Sequence, residues 1–488
     1  MGRIWIYTGI ALVLWILQSL YKAYTSPLRT VPGPLYTALT RLPLKLSIIT
    51  GRRIYFIDAL HKTHGPIVRI SPDEVSISST AEFKEIHRAG SPFLKSEWYS
   101  KFTMSSRPGV FDMRDPKVHA ARRKLFARAF SKTELRREWE GVVREKVKLT
   151  VEKIRGEMLG SSDGRCDVLK WWTFLATDVS GHLMFGESFD MLSVGMKNEY
   201  IHILESTMKG SGINAELPLV GFIGRHLPIP SIKAMFRASD YLTEYGRRAV
   251  TNSRAASDST RNIFSGMIYE SEKGSETLTD LDVITEAGNL IVAGSDTTAV
   301  TLTYLVYAIL SNPRLQREIE DEVLALAEDY DDATLEQLPL LNAAIKETLR
   351  LYGAAPGSLP RSVPEGGATF LGYYIPQGTT VSTQSYTIHR DANNFSDPEA
   401  FDASRWRPKD EGEGVSSQAQ AAFSPFGAGA RTCLGIHLAY MELRLAAAEF
   451  FRECKGVTLA PSVSWATMKP ENYFLIAPRG HQCEVMQR

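Results

Sequence analysis

The chain has 488 residues, with 56 Lys and Arg against 55 Asp and Glu, so its formal net charge is +1 and no nucleic-acid partner is expected. The hydrophobic fraction is 44% and the charged fraction 23%, which excludes a disordered or collagen-like chain. The four cysteines form no C-x-x-C pair and are too few for a disulfide framework: Cys166, Cys433, Cys454 and Cys483. The composition is that of a large folded protein from a reducing compartment.

The first feature in chain order is an uncharged apolar run from Ile4 to Tyr21. It comes close to the roughly 20 residues that an α-helix needs to cross the hydrocarbon core of a bilayer. A cleaved signal peptide is the alternative, but Arg3 alone precedes the run and no small-residue cleavage site follows it. The sequence therefore predicts a single membrane anchor over residues 1–22. The positive-inside rule predicts a cytosolic location for the rest of the chain, from the basic residues Lys22, Arg29, Arg41 and Lys45.

A proline-rich hinge and linker is predicted over residues 23–50, because Pro32 and Pro34 fix their φ angles on either side of Gly33. Residues 51–488 contain no repeat or flexible linker and are predicted to form one domain. The pattern is mainly helical, so the expected fold is mainly α with a minor β-sheet. Short strands are predicted near Ile67–Ile70, Val75–Ile77, Ala368–Ile375 and Thr379–Thr383.

The longest predicted helix runs from about Thr279 to Leu310, with Thr279 as its N-cap. Its apolar middle is interrupted by the sequence Ala293-Gly294-Ser295-Asp296-Thr297-Thr298. One interpretation is a bend in which Ser and Thr hydroxyls bond to the preceding turn. The other is a ligand wall, because Ala293 and Thr297 are four residues apart and share one helix face. The residues alone leave both interpretations open.

Glu347 and Arg350 are three residues apart on a short predicted helix that ends at Gly353. The pattern E-x-x-R is common, and taken alone it indicates a surface ion pair of little energetic value.

A glycine-rich loop from Phe423 to Gly435 delivers Cys433 to the start of a helix predicted over Leu434–Phe451. A helix N-terminus favours the thiolate form of a cysteine, and a thiolate is a ligand for iron. Arg431 is suitably placed for a carboxylate. A dinucleotide-binding loop is the first alternative, but Thr432 stands where its third glycine belongs. A nucleophilic cysteine assisted by His437 is the second, and it accounts for neither Phe426 nor Arg431.

The run Phe426-x-x-Gly429-x-Arg431-x-Cys433-x-Gly435 resembles the haem-binding signature of the cytochrome P-450 family. Residues 293–298 resemble the oxygen-binding motif of that family, and Glu347 with Arg350 its structural ion pair, completed by Arg405. The resemblance covers practically the whole chain. Three residues depart from the common family pattern, where many members have Pro, Trp and Phe respectively: Val31, His119 and Trp406.

The resemblance implies a cytochrome P-450 fold, an α-helical haem domain over residues 51–488 behind the single transmembrane helix. It implies haem b as cofactor, with Cys433 as the axial thiolate ligand of the iron. Asp296 and Thr297 would be catalytic, delivering protons during dioxygen activation. The remaining cofactor-binding residues would contact the ring or its propionates: Ala293, Phe426, Gly427, His119, Arg123, Arg361 and Arg431.

By the same resemblance the protein is a monooxygenase that receives electrons from NADPH through NADPH–cytochrome P-450 reductase at the endoplasmic reticulum membrane. The expected substrate is a lipophilic small molecule, and hydroxylation is the expected reaction. The sequence is similar to fungal secondary-metabolism members, which suggests a terpenoid, polyketide or alkaloid. A haem-thiolate isomerase or dehydratase that uses no dioxygen, and a non-catalytic haem-binding protein, are the alternatives.

Family analogy also predicts which residues line the substrate pocket, namely Trp98, Tyr99, Phe102, Leu290, Ile291, Ser295 and the turn Ala354–Leu359. A locally basic stretch is a candidate docking surface for the acidic reductase, with a solvated helix face as the alternative: Arg122, Arg123, Lys124, Arg128, Lys132, Arg136 and Arg137.

Overall fold

A computed structural model describes residues 2–103, 107–196, 209–255, 262–265, 267, 278–407 and 415–487. Helices predominate, and residues 209–216 are also helical. The helix bounds are α1 Gly2–Thr25, α2 Leu35–Leu39, α3 Leu42–Ile49, α4 Arg53–His64, α5 Thr80–His87, α6 Trp98–Thr103, α7 Pro116–Ala127, α8 Lys132–Glu138, α9 Glu140–Gly160, α10 Val168–Phe185, α11 Met191–Val194, α12 Pro218–His226, α13 Pro230–Ala255, α14 Asp280–Leu310, α15 Pro313–Leu324, α16 Asp332–Leu335, α17 Pro339–Tyr352, α18 Ser385–Ile388, α19 Ser417–Ala422, α20 Ile436–Glu453 and α21 Trp465–Met468. Short 3-10 helices span Pro27–Thr30, Ala403–Trp406 and Gly429–Arg431.

In the part of the chain that the structure describes, the strands are short and form four small sheets. The first sheet has the order β1-β2-β8-β5-β3, and the others are β10-β11, β4-β12-β9 and β6-β7. Their bounds are β1 Ile67–Ser71, β2 Glu74–Ile77, β3 Leu94–Lys95, β4 Arg165–Asp167, β5 Arg361–Ser362, β6 Ala368–Phe370, β7 Tyr373–Ile375, β8 Thr380–Ser382, β9 Thr458–Leu459, β10 Pro470–Asn472, β11 Ile476–Pro478 and β12 Glu484–Met486. The prediction of a mainly α fold with a minor β component is confirmed.

The proline hinge is seated on the edge of the first sheet. Leu28 and Val31 are buried in one hydrophobic cluster with residues of β1 and β2. The backbone N–H of Arg69 donates to the carbonyl of Pro32 at 2.7 Å. A Cβ at Gly33 would lie 2.7 Å from the carbonyl oxygen of Arg69, so only glycine permits this close approach.

The central helix α14 forms the axis of the domain. Its N-cap is Thr279, whose hydroxyl accepts from the N–H of Asp282, and the Asp282 carboxylate accepts from the Thr279 N–H. A Cβ at Gly294 would collide with the Ser180 hydroxyl of α10, so this glycine allows the two helices to pack closely. Hydroxyls also bond to carbonyls one turn earlier, Ser295 to Ile291 and Thr297 to Ala293, as the first interpretation predicts.

The N-terminal helix α1 has 24 residues and exposes large apolar side chains to the surroundings of the domain. Trp5 is 76% exposed, Tyr7 68% and Leu14 61%. Within the described residues, one helix passes a test of length and hydropathy for a membrane span, and it is α14. Because 67% of its apolar window is buried inside the domain, α14 is a core helix.

Candidate functional site

A cavity of about 380 Å³ separates the central helix α14 from the loop that precedes α20. Ala293 and Thr297 line it from α14, as their shared helix face predicts. Every predicted cofactor-binding residue also lines it: Ala293, Phe426, Gly427, His119, Arg123, Arg361, Arg431 and Cys433. Residues from opposite ends of the sequence therefore meet around one enclosed space.

The loop before α20 is a tight turn that the glycines make possible. The N–H of Gly427 donates to the Ser424 carbonyl, and Gly427 has a φ of 72°. The N–H of Cys433 then donates to the Phe426 carbonyl at 2.9 Å. A Cβ at Gly429 would collide with the His87 carbonyl, so glycine is required where the loop meets α5.

Cys433 is exposed to the cavity, whereas the other three cysteines are buried. Burial within the loop raises the pKa of the Cys433 thiol, while the N–H of Gly435 and the charge of Arg123 oppose that rise. The helix begins at Ile436 with Gly435 as N-cap, not at the predicted Leu434. Cys433 thus lies two residues before the N-cap, and its thiolate is favoured by the amide of Gly435 and the charge of Arg123.

One side of the cavity carries a cluster of cations. Burial lowers the pKa of Lys95 well below its ordinary value, and the charges of Arg361 and Arg431 lower it further. Burial likewise lowers the pKa of Arg431 to about 10, with Arg361 and Arg123 contributing. His119 lies in the same field, and burial followed by Arg431 and Lys95 lowers its pKa to about 3. His119 is therefore neutral at physiological pH.

This cluster fits a flat group that carries two carboxylates. Closely spaced cations without anions repel one another, and their desolvation is not offset. The buried Nε of Arg361 has no hydrogen-bond acceptor among the residues that the structure describes. A haem would fit both sides of the cavity, because the cations would hold its two propionates and Cys433 would supply a thiolate ligand to its iron.

One polar member of this cluster, Lys95, was not predicted from the sequence, and Tyr99 was predicted only as a substrate contact. Lys95 is 6% exposed, lines the cavity and lies over the ring of Tyr99 at 4.2 Å from its centroid. Tyr99, predicted as a substrate contact, lies within the electrostatic reach of Arg361 and Arg431. Lys95 sits in a two-residue strand, and no local pattern around it indicates a ligand contact.

Of the two predicted catalytic residues, Thr297 lines the cavity and Asp296 does not. The Thr297 hydroxyl lines the cavity and donates to the Ala293 carbonyl at 2.6 Å, so its lone pairs remain available to a ligand. Asp296 is half-buried and does not belong to the described wall of the cavity. Its role in proton delivery stays a prediction.

Glu347 and Arg350 are not a surface pair, since both side chains are fully buried. Arg350 donates to both Glu347 oxygens at 2.7 and 2.9 Å, and Arg405 donates to Oε1 at 3.0 Å. His389 joins this network to the cysteine loop, because it contacts the Arg350 carbonyl at 2.9 Å and accepts from the Ser424 N–H at 3.0 Å. The network positions the loop that carries Cys433, as the family resemblance implies.

A buried acid on α20 was also missed. Thr298 donates to Glu442 at 3.1 Å, and both residues line the cavity. Burial raises the pKa of the Glu442 carboxyl to about 8, so it holds its proton at neutral pH. Glu442 lies nine residues after Cys433 in the chain, and sequence alone presents it as an ordinary helical glutamate.

The predicted substrate pocket is partly correct. Its members that line the cavity are Tyr99, Phe102, Leu290, Ala354, Ala355 and Leu359. Trp98, Ile291 and Ser295 do not line it, because Trp98 lies behind Phe102 and the other two face the interior of the helix bundle.

The basic stretch is not a row of free cations. Arg122 is paired with Asp282 and Glu286, and other members also bind carboxylates of this chain. These are Lys132, Arg136 and Arg137. Arg123 faces the cavity. Among the members of this stretch, Lys124 is an exposed cation.

Comparison with known proteins identifies close relatives. The family model for cytochrome P-450 matches residues 34–485. The cytochrome P-450 monooxygenase cypX of Dothistroma septosporum is 40% identical over 490 residues, covering 98% of this chain and 94% of the relative. The monooxygenase stcB of Emericella nidulans is 41% identical over 479 residues, covering 96% and 90%. Methylphloroacetophenone oxidase of Cladonia uncialis is 34% identical over 404 residues, covering 80% and 88%.

Proposed function

The chain belongs to the cytochrome P-450 family and is a monooxygenase of it, and on that premise we propose that it oxidises a lipophilic small molecule of secondary metabolism, most simply by hydroxylation. The observation that carries the proposal is the exposed cysteine, Cys433, facing the same cavity as a cluster of cations that form no ion pair with the described residues.

Haem b bound in this cavity would supply dioxygen activation at an iron with a thiolate ligand. Cys433 would hold the iron, and Lys95, Arg361 and Arg431 would hold the propionates. Thr297 would accept and pass on a proton at its hydroxyl oxygen, with Asp296 as the proposed source of protons from the helix surface. The buried aromatic and aliphatic wall would exclude bulk water from the reacting substrate.

The electrons would come from NADPH through NADPH–cytochrome P-450 reductase. Lys117 and Lys124, exposed on α7, support a docking surface for an acidic partner. Their number is small because neighbouring cations are paired within the chain. Docking would therefore depend on these few residues, and its rate would fall steeply with ionic strength.

We further propose that α1 anchors the protein in the endoplasmic reticulum membrane with the catalytic domain in the cytosol. The exposed apolar side chains of α1 support this, since a helix that is apolar on its exposed faces needs lipid or protein around it. Lys22 lies in the last turn of the helix and Arg29 follows it, and a cytosolic domain agrees with their position.

The proposed substrate class is a terpenoid, polyketide or alkaloid. The cavity wall is mainly apolar, which suits a lipophilic ligand. One relative bears the name methylphloroacetophenone oxidase, which names an aromatic ketone as the substrate of that relative.

The test is the carbon monoxide difference spectrum of the reduced protein, recorded with Cys433→Ser and with Cys454→Ser as the matched control, since Cys454 is buried away from the cavity. We expect the red-shifted Soret band of a thiolate ligand in the wild type and in Cys454→Ser, and its loss in Cys433→Ser. A wild type without that band contradicts the proposal. Product formation that needs neither NADPH nor the reductase would favour the isomerase or dehydratase.

A further inference from the structure

One end of the cavity is a wall of aromatic rings. Phe102, Phe111 and Phe474 all line the cavity. The centroids of Phe102 and Phe474 are 4.6 Å apart, and Phe111 lies 5.9 Å from each of them. Trp98 stacks on the outer side of Phe102 with centroids 5.0 Å apart and an interplanar angle of 21°. The wall thus has a second ring behind Phe102, and its members contact one another at distances typical of aromatic pairs.

Phe111 reaches this wall from an irregular loop, residues 107–113, whose position depends on a buried carboxylate of α14. Glu286 is fully buried and accepts from the backbone N–H of Val110 at 2.9 Å through one oxygen and 3.1 Å through the other. Arg122 donates to the same carboxylate at 3.0 Å. Gly109 packs directly against Glu286 and Asn289, where a Cβ would collide. The residue before Phe111 is therefore fastened to α14.

Further contacts hold the rest of the loop. Arg122 also donates to Asp282 at 2.8 Å, and Asp282 pairs with Arg107 at 2.9 Å. Asp112 accepts from the N–H of Gly109 at 2.8 Å. The carbonyl of Phe111 accepts from the Lys95 ammonium. The loop is tied on both sides of Phe111, although most of its residues belong to no helix or strand.

We propose that this cavity takes a flat aromatic substrate, seated on the wall of Phe102, Phe111 and Phe474, and that Glu286 is the positioning residue that holds Phe111 in that wall. The proposal rests on the proposed function, since it concerns the substrate of the same haem site. A ring stacks on or against other rings more favourably than a saturated group of equal size. A wall that is fixed before binding also avoids the entropic cost of ordering it around the ligand.

The experiment measures binding of two azole probes to the haem-loaded full-length protein by the Soret shift. The probes are 4-phenylimidazole and 4-cyclohexylimidazole, which share the iron-binding nitrogen and differ in the aromaticity of the substituent. We expect 4-phenylimidazole to bind more tightly to the wild type. Phe111→Leu should weaken its binding by roughly fivefold, with less than about a twofold effect on the cyclohexyl probe.

Glu286→Ala tests the positioning role, and Glu286→Gln is its conservative partner because an amide oxygen still accepts from the Val110 N–H. Glu286→Ala should reproduce the selective loss seen in Phe111→Leu, and Glu286→Gln should restore most of the aromatic preference. Combining Glu286→Ala with Phe111→Leu should add little, since both act through one ring. Glu322→Ala is the matched control, because Glu322 likewise accepts from two backbone N–H groups, of Leu340 and Leu341, away from the cavity.

The outcomes separate this inference from the proposed function. A thiolate Soret band with equal affinity for both probes overturns the aromatic substrate and leaves the monooxygenase intact. A preserved aromatic preference in Glu286→Ala overturns the role of Glu286. Loss of the thiolate band in the wild type overturns the proposed function itself. If Glu286→Ala fails to fold, Phe111→Leu decides the substrate class. The double variant Glu286→Gln, Arg122→Gln then tests the positioning role of Glu286. Its preference for the phenyl probe should be lower than that of the wild type, and an unchanged preference overturns the positioning role.

Discussion

The indole N–H of Trp406 donates a hydrogen bond of 2.8 Å to the Oε2 of Glu347, inside the buried charge network beneath the cysteine loop. The family resemblance has phenylalanine commonly at this position, and phenylalanine has no such donor. Trp406→Phe should therefore leave the Glu347 carboxylate with one donor fewer and lower the free energy of unfolding by about 2 kcal/mol.

Chemical denaturation of the haem-loaded protein measures this change, with Trp172→Phe as control. Trp172 is fully buried, but its indole N–H has no acceptor among the described residues. The control loses comparable volume without losing a hydrogen bond and should cost less. Equal losses in the two variants would mean that the Trp406 hydrogen bond contributes nothing.

Gly294 is expected to resist substitution because of its neighbour on α10. Gly294→Ala gains about 1 kcal/mol of helix propensity but drives a methyl group into the Ser180 hydroxyl. The single variant should be destabilised, and Gly294→Ala with Ser180→Ala should be at least as stable as wild type. The thermal midpoints of the four members of the cycle measure this. Additive effects of the two substitutions would contradict the contact.

The buried acid Glu442 predicts a dependence of stability on pH. Burial raises its pKa from the ordinary 4.5 to about 8, so the folded protein holds a proton that the unfolded chain has released. Stability should therefore fall as the pH rises from about 4.5 to about 8. Glu442→Gln mimics the protonated acid and should flatten this slope between pH 6 and 8. Thermal midpoints across that range provide the measurement, and Glu449→Gln on the same helix should keep the wild-type slope.

Lys95 is expected to slow the loss of haem from the protein. Lys95→Met removes one cation from the cluster that matches the propionates, and we expect haem to leave the protein severalfold faster, since a partly buried charge pair contributes more than a surface one. Transfer of haem to an excess of apomyoglobin measures the rate. Lys62→Met, at an exposed lysine that pairs with Asp58 and Glu399, should leave the rate unchanged. Equal rates in wild type and Lys95→Met would exclude this role.

The part of the site that could be predicted from sequence is the part encoded locally. The loop from Phe426 to Cys433 carries its glycines, its arginine and its cysteine close together in sequence, and the structure brings Gly427, Arg431 and Cys433 to the cavity. The central helix was predicted to within a residue because its cap and its terminating proline lie at its own ends. Local physical chemistry was sufficient for these elements.

The remainder depends on contacts between distant parts of the chain. Gly294 is explained by Ser180, and the pairing of β2 with β8 joins residues about 300 positions apart, as Val75 and Val381 illustrate. Lys95 and Glu442 acquire their altered pKa values only from the tertiary environment. No local periodicity reports such neighbours, so these residues resembled ordinary surface or helix positions.

The short connection between α1 and the first sheet couples the orientation of the helix to that of the domain. Ser26 alone separates α1 from the 3-10 helix Pro27–Thr30, and the Pro32 carbonyl is bonded to β1. At about 1.5 Å per residue, α1 is a rod of roughly 36 Å attached to the sheet by a stiff joint. With α1 in a bilayer as proposed, the orientation of the helix sets the orientation of the domain, which a flexible linker would leave free. A thinner membrane that forces the rod to tilt would turn the whole catalytic domain by the same angle.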